Sequence, residues 1–139
     1  MAETASRPSA SAGLEAALRS LGAAAPAPRE RWDDHGWVAE WDGDVHGHDV
    51  YVLVMGARNH PESVRLMLDD FTFEDVRTEH AGELVRKALT GDARVTRGRL
   101  LLSRQLVLEV RAGSARYSAS VSGDSLDDLP DWARPLAVP

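Results

Sequence analysis

Asp49-Val50-Tyr51-Val52-Leu53-Val54-Met55 is the stretch that decides the fold. β-Branched and aromatic residues fill it, and both of its alternating faces are apolar. That pattern predicts a central strand covered on both sides. Just upstream, Trp37, Ala39 and Trp41 alternate with Val38 and Glu40, as in a half-buried strand. Between the two lies Asp42-Gly43-Asp44-Val45-His46-Gly47-His48, whose two glycines suit a turn or bulge. The pair is expected to form an antiparallel hairpin.

Moving downstream, residues 59–73 carry two competing patterns. Pro61 followed by Val64, Met67, Leu68 and Phe71 fits a helix. Val64, Leu66 and Leu68 alternating with Arg65, Met67 and Asp69 fits a strand. Strand is preferred, because Phe71-Thr72-Phe73 continues the extended pattern. Thr78 is placed to cap a helix with Ala81, Leu84, Val85, Ala88 and Leu89 on one stripe, ended by Thr90-Gly91-Asp92. Residues 95–103 and 106–111 then read as strands, and Arg111-Ala112-Gly113-Ser114 turns the chain into a third at 115–121. In that last hairpin Leu106, Leu108 and Val110 should face Ala115, Tyr117, Ala119 and Val121.

Upstream, residues 1–30 form an Ala/Pro/Ser-rich segment expected to be flexible, with a short helix near 13–21 built on Leu14, Ala17, Leu18 and Leu21. Ser11 is the expected cap and Gly22 the expected stop. Residues 31–122 read as a single domain, and residues 123–139 as an acidic tail expected to fold back on its own basic sheet. The fold class that follows is α+β: a small antiparallel sheet of about five or six strands packed against one or two helices. The element order resembles that of small secretion-chaperone-like α+β proteins. No shared motif accompanies that resemblance, so it carries no residue or activity across.

Charge is sorted along the chain. Between Trp32 and His80 twelve acids stand against three arginines, and between Ala81 and Ser122 eight bases stand against three acids. The blocks 1–31, 32–80, 81–122 and 123–139 carry +1, −9, +5 and −3, which sum to the formal net of −6. Fifteen of the sixteen bases are arginine, Lys87 being the exception. A pI near 5.3 opposes unaided capture by nucleic acid or anionic lipid. The absence of cysteine excludes disulfides, thiolate metal sites and cysteine nucleophiles, and fits a reducing compartment. With no apolar leader and no run long enough to span a bilayer, a cytoplasmic protein is expected, with no membrane among its partners.

Four constellations bear on chemistry. On an extended strand His46 and His48 would share a face, and with His60 or Glu62 as a third ligand they would suit a divalent metal. The plainer account is a polar turn with solvated imidazoles, since cupin-like barrels that use this spacing add an acid and a second His motif lacking in this chain. Arg94, Arg97, Arg99, Arg104, Arg111 and Arg116 could line a sheet face and contact phosphates. Only Tyr117 is near to stack on a base, so an ion-paired face is the better reading of the set. The carboxylate doublets Asp33-Asp34, Asp69-Asp70 and Glu74-Asp75 point opposite ways on a strand and make poor acid–base pairs. Trp37 and Trp41 read as core, whereas Trp32 and Trp132 suit either anchors for the ends of the chain or contact hot spots.

No nucleophile, phosphate loop or cofactor motif occurs, so no catalytic residue or cofactor is assigned. The expected function is a non-enzymatic protein-binding or adaptor/chaperone-like module acting through segregated acidic and basic surfaces. Arg97, Arg99, Arg104, Arg111, Arg116, Trp32 and Trp132 are its contact candidates, with a protein partner or a second copy as the other side. A metal-dependent protein using His46 and His48 is the first alternative. Nucleic-acid binding through the arginine strands of residues 94–116 is the second.

Overall fold

The computed structural model describes residues 9–138, apart from the side chains at positions 9 and 100. The chain is α+β. Its order is α1 (Ser9–Ser20), β1 (Arg29–Trp32), β2 (Gly36–Val45), β3 (His48–Ala57), β4 (His60–Leu68), β5 (Phe71–Arg77), α2 (Ala81–Leu89), β6 (Arg94–Leu100), β7 (Ser103–Ala112) and β8 (Ala115–Ser122). All strand pairings among the named strands are antiparallel, in a five-stranded sheet β1-β2-β3-β4-β5 and a three-stranded sheet β6-β7-β8. Strands therefore divide between two sheets, where the sequence alone suggested one.

The 49–55 stretch lies in β3, the middle strand of the larger sheet. One of its faces, Val50, Val52 and Val54, is fully in the core. The opposite face, Tyr51, Leu53 and Met55, is only part-covered, so the expectation of two buried faces is corrected. Within 59–73 the chain is strand from His60, split by a turn at Asp69-Asp70 between Leu68 and Phe71, which pair directly. Asp69 adopts a left-handed φ of 51°, a conformation that Asp tolerates better than most residues.

Both helices cover the inner face. Leu14, Leu18, Leu84, Val85 and Ala88 pack with Val52, Val54, Leu66 and Phe73 in one apolar cluster that also takes Leu108 and Val110 from β7. α1 ends as expected: Gly22 (φ 77°) follows the last turn, and the Gly22 and Ala23 amides donate to the Arg19 and Leu18 carbonyls. Ser11 is no cap. It sits buried inside α1, which starts earlier than the periodicity indicated. Residues 1–8 of the N-terminal segment lie outside the described residues. Thr78 is no cap either, because a 3-10 turn (Thr78–His80) precedes α2 and the Thr78 hydroxyl donates to the Pro61 carbonyl instead.

The two sheets are joined at β5 and β8. The Tyr117 hydroxyl accepts from the Arg77 amide at 3.1 Å and lies 2.8 Å from His80 Nδ1. The C-terminal segment closes the other side of the core. Its Trp132, 6% exposed, donates its indole N–H to Asp69 at 2.5 Å and meets Phe71 edge-on at 6.1 Å. Farther on, Ala137 bridges to Val95 of β6 in parallel. The tail is thus held on the body chiefly by buried apolar groups, with Arg104–Asp124 (2.8 Å) as its one ion pair to the basic sheet among the described residues. No helix among these residues is long and apolar enough to cross a membrane.

Candidate binding groove and hairpin tip

His46 and Gly47 form a two-residue loop between Val45 and His48, both in left-handed conformation (φ 53° and 84°). This is the backbone a tight hairpin turn requires. His46 therefore leaves the strand, and the expected sharing of one face with His48 does not occur. His60 opens β4 at the far end of β3, paired with Ala57, about 30 Å along the strand from His48. His60 Nδ1 lies 3.3 Å from a Glu62 carboxylate oxygen instead. The structure does not bring the three histidines together. Among the described residues no group of three or more His, Cys, Asp or Glu side chains is arranged to hold a metal.

The arginines also divide. Alternation puts Arg94, Arg111 and Arg116 on the outer face of the small sheet with Glu109, and Arg94 reaches Glu109 at 3.3 Å. Arg97 and Arg99 lie on the other side of β6, and Arg99 stands directly opposite Arg104. Their hairpin ends at Leu101-Leu102, where the sequence suggested that strand ran on to Ser103. The strand stops because two residues are needed to reverse the chain, and neither is a turn former.

Over the open side and one end of the larger sheet runs a groove of about 590 Å³ that draws residues from β2, β3, β4 and β5. Its apolar side chains on the open face are Val38 and Met55; Trp37, Gly56 and Val64 also border it, but alternation turns them to the core side, where Trp37 packs against the core and Val64 is buried. Gly56 is required: a Cβ there would lie 2.4 Å from the Trp37 indole, which lies flat across it. Acids ring this floor: Asp33, Glu62, Glu74 and Asp75 against Arg65 alone. Arg65 is taken by Glu74 at 2.8 Å. The Asp33 carboxylate accepts the His35 and Gly36 amides, which holds its pKa below the usual range. Glu62 is likewise held low, first by its own backbone amide and then by His60. Both therefore stay ionised in mild acid. Asp75, at φ 53°, sits at the register shift that tips it out of the β5 ladder.

Trp32 stands just beside the groove. It is 42% exposed, packs on Trp37 with ring centroids 6.4 Å apart, and has Arg58 over its face at 5.7 Å. Of the two unexplained tryptophans, Trp132 is thus part of the core and Trp32 borders an open surface. Sequence reading names Asp33, Trp37, His60, Glu74 and Asp75 separately but does not bring them into one site, because they come from four strands and the loop before β2 and only the pairing register assembles them. Like-signed residues do gather, but locally. The rest of the larger sheet's outer face is interleaved, with Arg29 bonded to both Glu40 (3.3 Å) and Asp42 (3.1 Å).

Compared with known proteins, the chain matches no family model, no curated protein and no solved structure. Function has to be argued from the groove and the surfaces around it.

Proposed function

We propose that this protein is a non-enzymatic protein-binding module whose receptor surface is the groove over β2–β5. One observation carries the reading: a part-exposed apolar floor of Val38 and Met55 bounded by four carboxylates against a single arginine, which Glu74, one of the four, already pairs. Apolar floors of this kind take aliphatic side chains, because burying them removes both surfaces from water. The acidic rim selects for flanking positive charge and speeds encounter more than it adds affinity. The ligand class is therefore a short basic, aliphatic protein segment. This keeps the role expected from charge sorting and narrows the acidic surface to a defined place.

The experiment is fluorescence anisotropy with a labelled octapeptide of alternating leucine and arginine, unrelated in sequence to this chain. Binding is expected at low salt, weakening as salt screens the rim, and absent in Met55→Arg. Met55 is exposed, so that variant should keep the wild-type melting temperature. Binding unchanged in Met55→Arg, or no binding at low salt, would refute the assignment.

A further inference from the structure

The β6–β7 hairpin ends in a feature the monomer does not explain. Leu101 and Leu102 form its tip and are 89% and 97% exposed, more than any other large apolar side chain among the described residues. Leu101 also has a φ of 57°, a left-handed position that disfavours a side chain like leucine. Below the tip, Arg99 lies directly across from Arg104, and Arg97 shares the face of Arg99. Like charges opposed on neighbouring strands repel. Arg104 has Asp124 as a counter-ion, whereas Arg97 and Arg99 have no ion pair among the described residues. Bare aliphatic surface, a strained turn and unneutralised charge all weigh against the free protein, and all three meet at one protruding point.

We propose that this tip is the ligand of the groove, presented by a second copy of the chain. Leu101 and Leu102 of one copy lie against Val38 and Met55 of the next. Arg97 and Arg99 then face Glu62, Glu74 and Asp75. The assignment rests on the groove being a receptor, as read above, and names its occupant. Shape and charge both match: a convex aliphatic tip with a cationic collar meets an aliphatic floor with an anionic rim. The tip's exposure means that it does not fill the groove of its own chain. A bilayer fits less well, because the net charge of −6 repels an anionic lipid surface that three arginines would have to hold. Tip and groove are different surfaces, so the contact is head-to-tail and can extend beyond a dimer. It is also small, which sets the dissociation constant at roughly micromolar or weaker.

Sedimentation velocity on the full chain over a concentration and salt series tests this. The wild type should associate with rising concentration, past dimer, and dissociate as salt is raised. Leu101→Ser/Leu102→Ser should weaken association about a hundredfold, since two buried leucines are lost, with no change in melting temperature. Met55→Arg and Glu62→Arg should do the same from the other side. The decisive arm is a mixture of the tip variant with Met55→Arg. One intact groove and one intact tip remain, so 1:1 dimers form and nothing larger. A wild type that stays monomeric at millimolar concentration and low salt overturns the proposal, as does a tip variant that associates like the wild type. If the unrelated peptide still binds the groove in that case, the receptor reading survives and only its occupant is wrong. If neither binds, both fall. Co-sedimentation with phosphatidylserine-containing vesicles, lost in the tip variant while self-association is unchanged, would make the tip a membrane contact and also overturn it.

Discussion

Gly13 of α1 and Gly82 of α2 face one another where the two helices cross, and alanine should be accepted at only one of them. A Cβ on Gly13 would meet nothing nearer than the Gly82 amide nitrogen at 3.8 Å, an ordinary contact. A Cβ on Gly82 would lie 2.4 Å from the Gly13 carbonyl oxygen and 2.7 Å from its carbon. Both obstacles are backbone, so no side chain can turn aside. Alanine is worth about 1 kcal/mol more than glycine inside a helix, so Gly13→Ala should be stabilising by about that much. Gly82→Ala has a similar local gain, but the helices must part by roughly 1 Å, disturbing Leu14, Leu18, Leu84 and Val85 together. Overfilling a packed core typically costs about 1–3 kcal/mol, so a net loss of about 1 kcal/mol is expected after the helical gain. At roughly 4 °C per kcal/mol for a chain of this size, the first variant should melt about 4 °C higher and the second about 4 °C lower. Thermal and urea unfolding followed by far-UV circular dichroism measure both. A Gly82→Ala protein as stable as the wild type, or a Gly13→Ala protein less stable than Gly82→Ala, would show that the helices do not meet at this close approach.

Further outcomes follow from the turns and the polar contacts. Burial raises the Asp69 carboxyl pKa, and Asp70 and Asp49 add to the effect, against the Trp132 indole that favours the anion. A folded-state pKa above the unfolded one means that ionising Asp69 weakens the fold as pH rises through that window. Asp69→Asn, which keeps an acceptor for Trp132 and suits φ 51°, should therefore raise stability at neutral pH, while Asp69→Ala should lose about 1 kcal/mol through the orphaned indole; urea midpoints at pH 7 separate the two. Glu40 behaves in the opposite sense. The Tyr51 hydroxyl at 2.7 Å, then Arg29, lowers its pKa, so its contribution is present above the unfolded pKa and is lost as pH falls through the folded one. Tyr51→Phe should shift the acid-unfolding midpoint to higher pH, read by tryptophan fluorescence. Last, His46→Asn places the favoured Asn-Gly pair in the β2–β3 loop and should gain up to about 1 kcal/mol in denaturant unfolding.

Much of the fold was legible because period-two alternation survives in the strands. Val64, Leu66 and Leu68 on one side and Arg65 and Met67 on the other are placed as their order suggests. So are both rows of the β7–β8 hairpin. Local chemistry failed where a turn lacks turn residues. Leu101 and Leu102 read as strand because nothing in an aliphatic run announces a reversal, and Asp69-Asp70 was read through as extended. The half-open face of β3 was also hidden, since alternation reports which residues share a side but not whether anything covers it. The groove is the extreme case. Asp33 and Asp75 stand 42 positions apart in the chain and line one surface only through three successive strand pairings.

The way the C-terminal segment completes the core bears on how the protein is made. While a nascent chain is still emerging, the inner face of the larger sheet has α1 to cover it but lacks Leu108, Val110, Trp132 and Leu136. Phe71 waits for Trp132 across 61 positions, and β3 waits still longer for the same segment. Such separations slow folding and leave bare apolar surface during synthesis. Premature termination before codon 132 should therefore yield an aggregation-prone product, even though every strand of both sheets has by then been translated.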